Sequence, residues 1–227
     1  MKKEKGKIIA SFPSKKNQVF MVQGAESQWV EKIFADPIGY QTEKKMGELF
    51  AGTDLPVPCR ISFDDGGLAI RYEYVKAYPV VDLIESADYA LACDIILKIC
   101  SWLDSFYRIT REKTGQQYIW GDIHLRNLLY EEETGTVYGV DFEECRPGQI
   151  ESDAGRIYVF LLHYDPAFTE RKRQMAGLLK GRLKTLLNLD EELLEGEIVK
   201  ETQELLRRRH PEGVKNENRE DYENHAI

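Results

Sequence analysis

The sequence predicts an α+β protein in two lobes, a small antiparallel β-sheet that carries one helix followed by a mainly helical lobe. Short apolar runs bounded by turn residues fill the first third of the 227-residue chain. After Val75 the apolar residues recur at helical spacing instead. Hydrophobic residues make up 42% of the chain and charged residues 31%, as in folded, soluble proteins. We therefore expect a sheet lobe at 1–74, a helical lobe at 75–209 and a flexible polar tail at 210–227.

Five strands and one helix are predicted for the sheet lobe. The strands are Lys7–Phe12, Gln18–Val22, Gln28–Phe34, Cys59–Phe63 and Leu68–Val75. Asp64-Asp65-Gly66-Gly67 joins the last two strands and is a strong hairpin signal. Between the third and fourth strands, Gly39–Phe50 has a helical stripe of apolar residues, and the Pro-rich segment Leu55–Pro58 ends it.

The helical lobe contains four predicted helices and one extended segment. The helices are Ala87–Tyr107, Asp153–Tyr164, Thr169–Leu187 and Asp190–Arg209. Tyr118–Asp141 returns to extended structure. Within it, Leu128–Tyr130 and Thr136–Val140 form the arms of a hairpin whose turn contains Gly135.

Charge and cysteine content argue against several classes of function. The 31 Lys and Arg against 39 Asp and Glu give a formal charge of −8, which disfavours nucleic acid or an anionic membrane as the main partner. No apolar run approaches the roughly 20 residues of a membrane-spanning helix or the about 7–15 of a secretory signal. The four cysteines are widely spaced, which favours a reduced, cytoplasmic protein.

The predicted hairpin places three polar side chains in one small volume. Asn127 precedes one arm and Asp141 follows the other, so pairing the arms brings them side by side, with Asp122 five residues upstream of Asn127. An isolated Asp or Asn in a loop is usually a cap or turn residue. Here three such residues recur at a spacing that a hairpin converts into proximity, which favours a site. Their oxygens suit Mg²⁺, which takes one or two protein carboxylates and fills its octahedron with water and phosphate oxygens. Asp122 could then accept a proton from an attacking hydroxyl.

Two motifs carry a family resemblance. Gly121-Asp122-Ile123-His124-(two residues)-Asn127 and Val140-Asp141-Phe142 resemble the catalytic and metal-binding loops of the protein kinase superfamily. They look most like its aminoglycoside phosphotransferase and small-molecule kinase branch, with bacterial RIO-like serine/threonine kinases also close. Asp153-Ala154-Gly155-Arg156 is similar to the segment beneath the catalytic loop in those enzymes. The resemblance implies a two-lobed kinase-like fold and an ATP- and Mg²⁺-dependent phosphotransferase, with Asp122 catalytic and Asn127 and Asp141 as metal ligands.

The resemblance also implies residues that hold the nucleotide. Kinases use a strand Lys for the α- and β-phosphates and a helix Glu to orient it. Lys32 lies in the third strand on the face of Val30 and Phe34, and Glu43 is its expected partner, with Glu48 as the alternative. Tyr72-Glu73-Tyr74-Val75 is similar to the hinge between lobes. The backbone groups of Glu73 and Val75 would then bind the adenine edge of ATP.

The sequence departs from the family pattern in three places. Pro13–Asn17 replaces a glycine-rich phosphate loop, Trp120 stands where the family usually has His, and the helical end of the chain is short for an antibiotic kinase. Because the helical end that would bind the substrate is short, the sequence leaves two kinds of acceptor open. They are a small-molecule hydroxyl and a protein Ser or Thr. An acidic lip could attract a cationic amino sugar, and its residues would be Glu143, Glu144 and Glu151.

Three other functions compete with an active kinase. Gly121–His124 also begins like a metallophosphoesterase motif, but the chain has only four His residues for a dinuclear site. A glycosidase pair of Asp122 with Glu143 or Glu144 leaves Lys32 without a role. A pseudokinase that binds nucleotide or protein is the main alternative, and retention of the four residues Lys32, Asp122, Asn127 and Asp141 argues against it.

Overall fold

The computed structural model describes residues 6–209 and begins with a five-stranded antiparallel sheet. Its strands are β1 (Lys7–Phe12), β2 (Gln18–Gln23), β3 (Gln28–Ile33), β4 (Arg60–Asp64) and β5 (Ala69–Glu73). They lie in the order β1-β2-β3-β5-β4, so β3 is central. The single helix of this region, α1, spans Pro37–Phe50. The sheet and its helix confirm the first half of the predicted fold class.

Register and helical spacing turn two charged residues inward. In β3, Lys32 pairs with Val19 on one side and Ile70 on the other. Helix α1 begins where Asp36 accepts a hydrogen bond from the Gly39 amide (2.8 Å), a standard N-cap. From that start, its buried stripe consists of Gly39, Tyr40, Glu43, Met46 and Phe50. Glu43 thus lies on the face that α1 turns to the interior.

The rest of the described chain is mainly helical, as predicted for the second lobe, but it contains five helices where four were predicted. They are α2 (Val80–Ser86), α3 (Tyr89–Thr114), α4 (Ile150–His163), α5 (Glu170–Leu187) and α6 (Glu191–Arg209). Five short strands lie among them, β6 (Tyr78–Pro79), β7 (Tyr118–Ile119), β8 (Leu128–Glu131), β9 (Thr136–Gly139) and β10 (Arg146–Pro147). The predicted hairpin is β8–β9. Helix α2 was not predicted, α4 begins three residues early, and residues 120–127 form a loop rather than a strand.

Aromatic side chains fill the core beside that loop. The fully buried Trp120 packs its ring 4.9 Å from Trp102 and 5.0 Å from Phe142, centroid to centroid. Its Nε1 donates to the carbonyl of Asp141 at 2.7 Å. Trp120, which stands where the kinase motif usually has His, therefore has both a packing and a hydrogen-bonding role.

None of the helices described between residues 6 and 209 has the length and apolar character needed to cross a bilayer. The predicted tail at 210–227 lies outside the described residues.

Candidate active site

The β8–β9 hairpin brings the predicted metal ligands to its open end. Leu128 pairs with Gly139, and the next amide, Val140, donates to the carbonyl of Asn127 at 2.9 Å. The side-chain amide of Asn127 donates in turn to the carbonyl of Asp122 at 3.0 Å. Asp122, Asn127 and the start of the Asp141 loop are thus joined by direct hydrogen bonds.

A buried carboxylate beneath the loop fixes its course. Asp153, at the start of α4, accepts hydrogen bonds from the amides of Trp120 (2.6 Å) and Gly121 (3.0 Å) and from the Tyr107 hydroxyl (3.0 Å). Burial raises the pKa of Asp153, and these donors oppose that shift by favouring the anion. Gly121 has a φ of +83°, and a Cβ there would lie 2.5 Å from the Glu144 carbonyl oxygen. Only glycine fits this turn.

Three carboxylates surround the Lys32 ammonium. Its Nζ lies 2.6 Å from Asp141 Oδ1, 3.1 Å from Glu43 Oε2 and 3.4 Å from Glu143 Oε2. Only 6% of Lys32 is exposed. Burial alone would lower the pKa of Lys32, but the three negative charges outweigh it and raise that pKa above its ordinary value. Lys32 therefore stays charged at neutral pH, unlike a buried lysine without partners.

Glu43 connects Lys32 to the loop that follows β9. Besides Lys32, it accepts hydrogen bonds from the Phe142 amide (2.8 Å) and the Tyr72 hydroxyl (2.9 Å). Burial raises the pKa of Glu43, while the Lys32 charge opposes the shift. The alternative partner, Glu48, is exposed and lies 3.7 Å from Arg60 instead. Of the two candidates, Glu43 is the one that contacts Lys32.

Asp141 is held in a strained conformation at the centre of the site. Its φ is +71°, a region that residues other than glycine seldom adopt. Three contacts surround it: its carbonyl accepts from Trp120, its carboxylate contacts Lys32, and the following amide donates to Glu43. The neighbouring structure thus compensates for the strain, which is a common property of functional sites.

The donor set at the open end of the hairpin fits a hard cation. Because the Asn127 amide nitrogen donates to Asp122, its oxygen is the end left to act as a ligand. Lys32 contacts Asp141 Oδ1, so Oδ2 is the second available oxygen. Within residues 6–209, no group of three or more His, Cys, Asp and Glu could hold a metal, as the metallophosphoesterase alternative would require. One carboxylate and one amide oxygen suit Mg²⁺ that is also bound by phosphate and water.

Two residues of this network were missed from the sequence. Glu143 contacts Lys32 and also accepts a hydrogen bond from the side chain of Asn17 (2.5 Å), whose own oxygen accepts from the Ala35 amide (3.0 Å). The β1–β2 loop is therefore bonded to the segment after β9. No local sequence pattern indicates this contact, because Asp141 has a φ of +71° and Glu143 lies in the turn that follows it, so the segment is not an extended strand.

The predicted acidic lip does not form. Glu143 is turned inward to Lys32 and Asn17. Glu151 is buried and accepts from the Asp190 amide at 3.1 Å. Glu144 is exposed, and it lies 3.6 Å from Lys16. The lip was wrong because carboxylates close in sequence were assumed to share one solvated face.

Comparison with known proteins identifies the architecture. No protein-family model matches the chain, and no curated protein sequence matches it either. Solved structures do match. Amicoumacin kinase hAmiN, solved with AMP-PNP, Ca²⁺ and Ami, superposes with a TM-score of 0.61 at 13% identity, over 86% of this chain and 79% of that one. The chain has the protein kinase-like fold.

Two further kinases share this kinase-like fold with the chain. The PknI kinase domain of Mycobacterium tuberculosis gives a TM-score of 0.55 at 13% identity, over 86% of this chain and 96% of that one. The Cydia pomonella granulovirus kinase PK-1 gives 0.51 at 17% identity. That match covers 63% of this chain and only 55% of the viral one.

The segment predicted as the hinge of the kinase-like fold leaves the sheet after β5. The Glu73 amide donates to the Cys59 carbonyl at 2.9 Å, and the Glu73 carboxylate accepts from the Cys59 amide at 2.9 Å. The Val75 carbonyl accepts from the Ala77 amide at 2.9 Å. The groups still suited to an adenine edge are therefore the Glu73 carbonyl and the Val75 amide.

Asp122, the predicted catalytic residue of the kinase-like fold, has two basic neighbours. Arg156 Nη2 donates to Asp122 Oδ1 at 2.8 Å, and His124 Nε2 lies 3.8 Å from Asp122 Oδ2. Burial lowers the pKa of His124, although Asp122 opposes this shift. At neutral pH Arg156 is thus the charged partner of Asp122.

Proposed function

We propose that the protein is an ATP- and Mg²⁺-dependent phosphotransferase that moves the γ-phosphate of ATP to a hydroxyl group. One observation carries the proposal: the buried Lys32 ammonium lies within 3.1 Å of both Glu43 and Asp141, which come from α1 and from the loop after β9. Removing an ammonium and carboxylates from water costs several kcal/mol per ion, so a buried ion pair is weak evidence of stabilisation and marks a candidate functional site.

Each residue of the site has an expected role. Lys32, oriented by Glu43, would bind the α- and β-phosphates of ATP. Asn127 and Asp141 would hold Mg²⁺, which neutralises phosphate charge when bound. The backbone of Glu73 and Val75 would bind adenine. These roles are mostly positioning and charge neutralisation, which is what phosphoryl transfer requires from a protein.

Asp122 would orient the acceptor hydroxyl and take its proton. Its carboxylate is partly exposed, and its carbonyl accepts a hydrogen bond from the side chain of Asn127, one of the two residues proposed to hold Mg²⁺. The acceptor belongs to a small, aminoglycoside-like molecule or to a protein Ser or Thr. The cytoplasmic location, the absence of a nucleic-acid or membrane partner and the lobe boundary after residue 74 stay predictions from the sequence.

One observation favours the pseudokinase alternative. Glu143 already contacts Lys32 and Asn17, in the region where phosphates would lie. A nucleotide would have to share Lys32 with this third carboxylate or displace it. If a bound nucleotide neither shares Lys32 with Glu143 nor displaces Glu143, the protein would be a pseudokinase, a nucleotide- or protein-binding module without catalysis.

An acceptor screen with γ-labelled ATP and Mg²⁺ tests the proposal. Candidate aminoglycosides and a generic protein substrate are offered to the wild type, with autophosphorylation as an internal control. We expect label transfer that Asp122→Asn reduces by about 10²–10⁴-fold, the usual contribution of a positioned base. Mg²⁺-dependent ATP binding without transfer to any acceptor or to the chain itself would support the pseudokinase.

A binding measurement tests the metal ligands without relying on turnover. By calorimetric titration, Asp141→Ala should abolish the gain in ATP affinity that Mg²⁺ gives the wild type, because one of its two protein ligands is gone. Glu144→Ala, at an exposed carboxylate three residues on, is the matched control and should keep the gain. Mg²⁺-dependent binding that survives in Asp141→Ala would refute the assignment.

A further inference from the structure

Helix α4 runs alongside the loop that carries Asp122. Three side chains at four-residue spacing, in α4 and just after it, contact alternate residues of this loop. The contacting pairs are Arg156 with Asp122 (2.8 Å), Phe160 with His124 (5.6 Å between ring centroids) and Tyr164 with Arg126 (5.0 Å from the ring centroid to the guanidinium carbon). Because residues 122, 124 and 126 all contact the same helix face, Arg126 lies on the same side of the loop as Asp122.

The length of α4 sets the separation between Asp122 and Arg126. Their partners Arg156 and Tyr164 are eight residues apart, and a helix rises about 1.5 Å per residue, so the two groups lie about 12 Å apart along α4. His124 is between them. Burial is the main cause that lowers its pKa, and the positive charges of Arg156 and Arg126 both add to that shift. Both guanidinium groups are therefore near this ring.

Arg126 has hydrogen-bond donors to spare. Its side chain is exposed, and among residues 6–209 no carboxylate pairs with its guanidinium and no oxygen accepts a hydrogen bond from it. Arg156, by contrast, bonds Asp122 and lies 3.7 Å from Glu201 of α6. The contact of Arg126 with the Tyr164 ring is of the cation–π type, which holds the group in place without using an oxygen acceptor. Arg126 is thus positioned and available for a ligand.

The charges around Asp122 disfavour a cationic acceptor. The acidic lip does not form, because Glu143 is turned inward to Lys32 and Glu144 is bonded to another lysine. The carboxylate of Asp122 itself is paired with a guanidinium. An amino sugar bound at Asp122 would therefore lack the predicted carboxylates and would meet the unpaired guanidinium of Arg126 instead.

We propose that Arg126 determines acceptor specificity by binding an anionic group, a phosphate or a carboxylate, of the molecule whose hydroxyl is oriented by Asp122. The proposal rests on the proposed function and narrows its acceptor. A guanidinium binds carboxylate or phosphate through two parallel N–H bonds, a geometry that lysine lacks. The span of about 12 Å corresponds to three or four residues of an extended peptide, at about 3.3 Å each, or to a sugar larger than one ring.

Acceptors that differ only in charge test the proposal. One set is a disaccharide phosphate and the parent disaccharide. The other is a serine peptide with Glu, or with Lys, three and four residues from the Ser. With γ-labelled ATP and Mg²⁺, the wild type should have a kcat/KM about tenfold higher for the anionic member, since charge-assisted hydrogen bonds are the stronger ones. The set that shows this preference identifies whether the anion belongs to a sugar or to a peptide.

Substitution of Arg126 separates specificity from a structural role. Arg126→Gln should abolish the preference by raising KM for the anionic acceptor, with KM for ATP unchanged. Arg126→Glu should reverse the preference, in favour of the Lys peptide. Arg182→Glu makes the same charge change at an exposed position of α5 and should keep the wild-type preference. If Arg126→Gln kept the preference, or if the wild type preferred the Lys peptide or an aminoglycoside, the proposal would be wrong.

Binding decides the question where no phosphate is transferred. Fluorescence anisotropy gives the affinity of the labelled Glu and Lys peptides for the wild type and for Arg126→Glu with AMP-PNP and Mg²⁺ present, and calorimetry gives that of the disaccharide phosphate. If transfer is absent but an anionic probe binds the wild type about tenfold more tightly than Arg126→Glu, the proposed function fails and the anion site stands. If neither anionic probe distinguishes the two proteins, the anion site is refuted, whether or not phosphate is transferred.

Discussion

At the scale of single residues, Lys32 has the most demanding environment. It is 6% exposed and Glu43 is 4% exposed, and both contribute charges to the same buried network. Removing one member of such a network leaves uncompensated charge, which typically costs about 3–5 kcal/mol. We predict that Lys32→Met lowers the free energy of unfolding by about that amount, measured by urea denaturation at pH 7.

A surface pair of the same type provides the control for Lys32→Met. Lys200 and Glu197 lie 3.0 Å apart on α6, but the Lys200 side chain is largely exposed. Lys200→Met should therefore cost at most about 1 kcal/mol. If the two substitutions had equal effects, the Lys32 ammonium would be solvated in solution and the buried network would not exist there.

His163 is a second residue whose burial has a measurable consequence. Burial lowers its pKa to about 4, and the positive charge of Arg209 adds to the shift. In the unfolded chain its pKa is about 6.5. Between these values the unfolded chain binds a proton that the folded protein does not, so stability is full above about pH 6.5 and is lost as pH falls toward 4.

The pH prediction is a comparison of melting temperatures. Lowering the pH from 7.5 to 5.0 should reduce the Tm of the wild type more than that of His163→Phe. We expect a difference of roughly 2–4 °C, corresponding to about 1 kcal/mol for a chain of this size after allowance for solvent screening. Carboxylates that titrate over the same range are common to both proteins. Equal Tm losses would show that His163 is protonated while folded.

At the scale of elements, the contact of α4 with α6 places Arg156 near Glu201. A Cβ on Gly155 would lie 3.1 Å from the backbone carbonyl carbon of Glu197, so this crossing has no room for a side chain. We predict that Gly155→Ala destabilises the protein by about 1–3 kcal/mol through overpacking.

Gly196 on α6 is the matched control for Gly155→Ala. A Cβ added there meets no described atom within 4 Å, so Gly196→Ala should stabilise the helix by up to about 1 kcal/mol. Chemical denaturation of both variants gives the comparison. Stabilisation by both substitutions would mean that the two helices are farther apart in solution.

The elements that the sequence predicted are those with a strong local pattern. The 26-residue α3 has a long buried stripe and an Asp88 cap, and the hairpin β8–β9 has alternating residues and a turn glycine. Helix α2 was missed because it has only seven residues and no side-chain cap. Strands β6, β7 and β10 have two residues each and pair only with partners distant in sequence. Such elements form because the tertiary structure places them together.

The contacts of the candidate site differ in the same way: those set by local structure were predicted, and those between residues distant in sequence were not. Hairpin register was enough to bring Asp122, Asn127 and the Asp141 loop together, and the face of one strand placed Lys32. The bond between Asn17 and Glu143 spans 126 residues, and that between Arg156 and Asp122 spans 34. No local pattern encodes such contacts, because they depend on how elements distant in sequence pack against each other.

At the scale of the whole molecule, the two predicted lobes share one core. Met46, Phe50 and Leu55, all before residue 74, belong to the same buried cluster as the side chains of α3 and α4. The Phe50 ring lies 5.7 Å from Phe106 and 5.2 Å from Phe142. Among residues 6–74, a small separate cluster has Phe34, Tyr40 and Ile70 as its buried members.

This sharing predicts that residues 1–74 do not fold when expressed alone. Exposing the three shared side chains would forfeit about 1.5–3 kcal/mol each, a sum comparable with the whole stability of a typical domain. The fragment would also lose Asp141 and the Phe142 amide, the partners of its buried Lys32 and Glu43. We expect a circular dichroism spectrum without sheet or helix signal and no cooperative melting, with the full chain as the folded control. A cooperatively melting fragment would instead show that the sheet lobe is an independent domain and that its contacts with α3 contribute little to its stability.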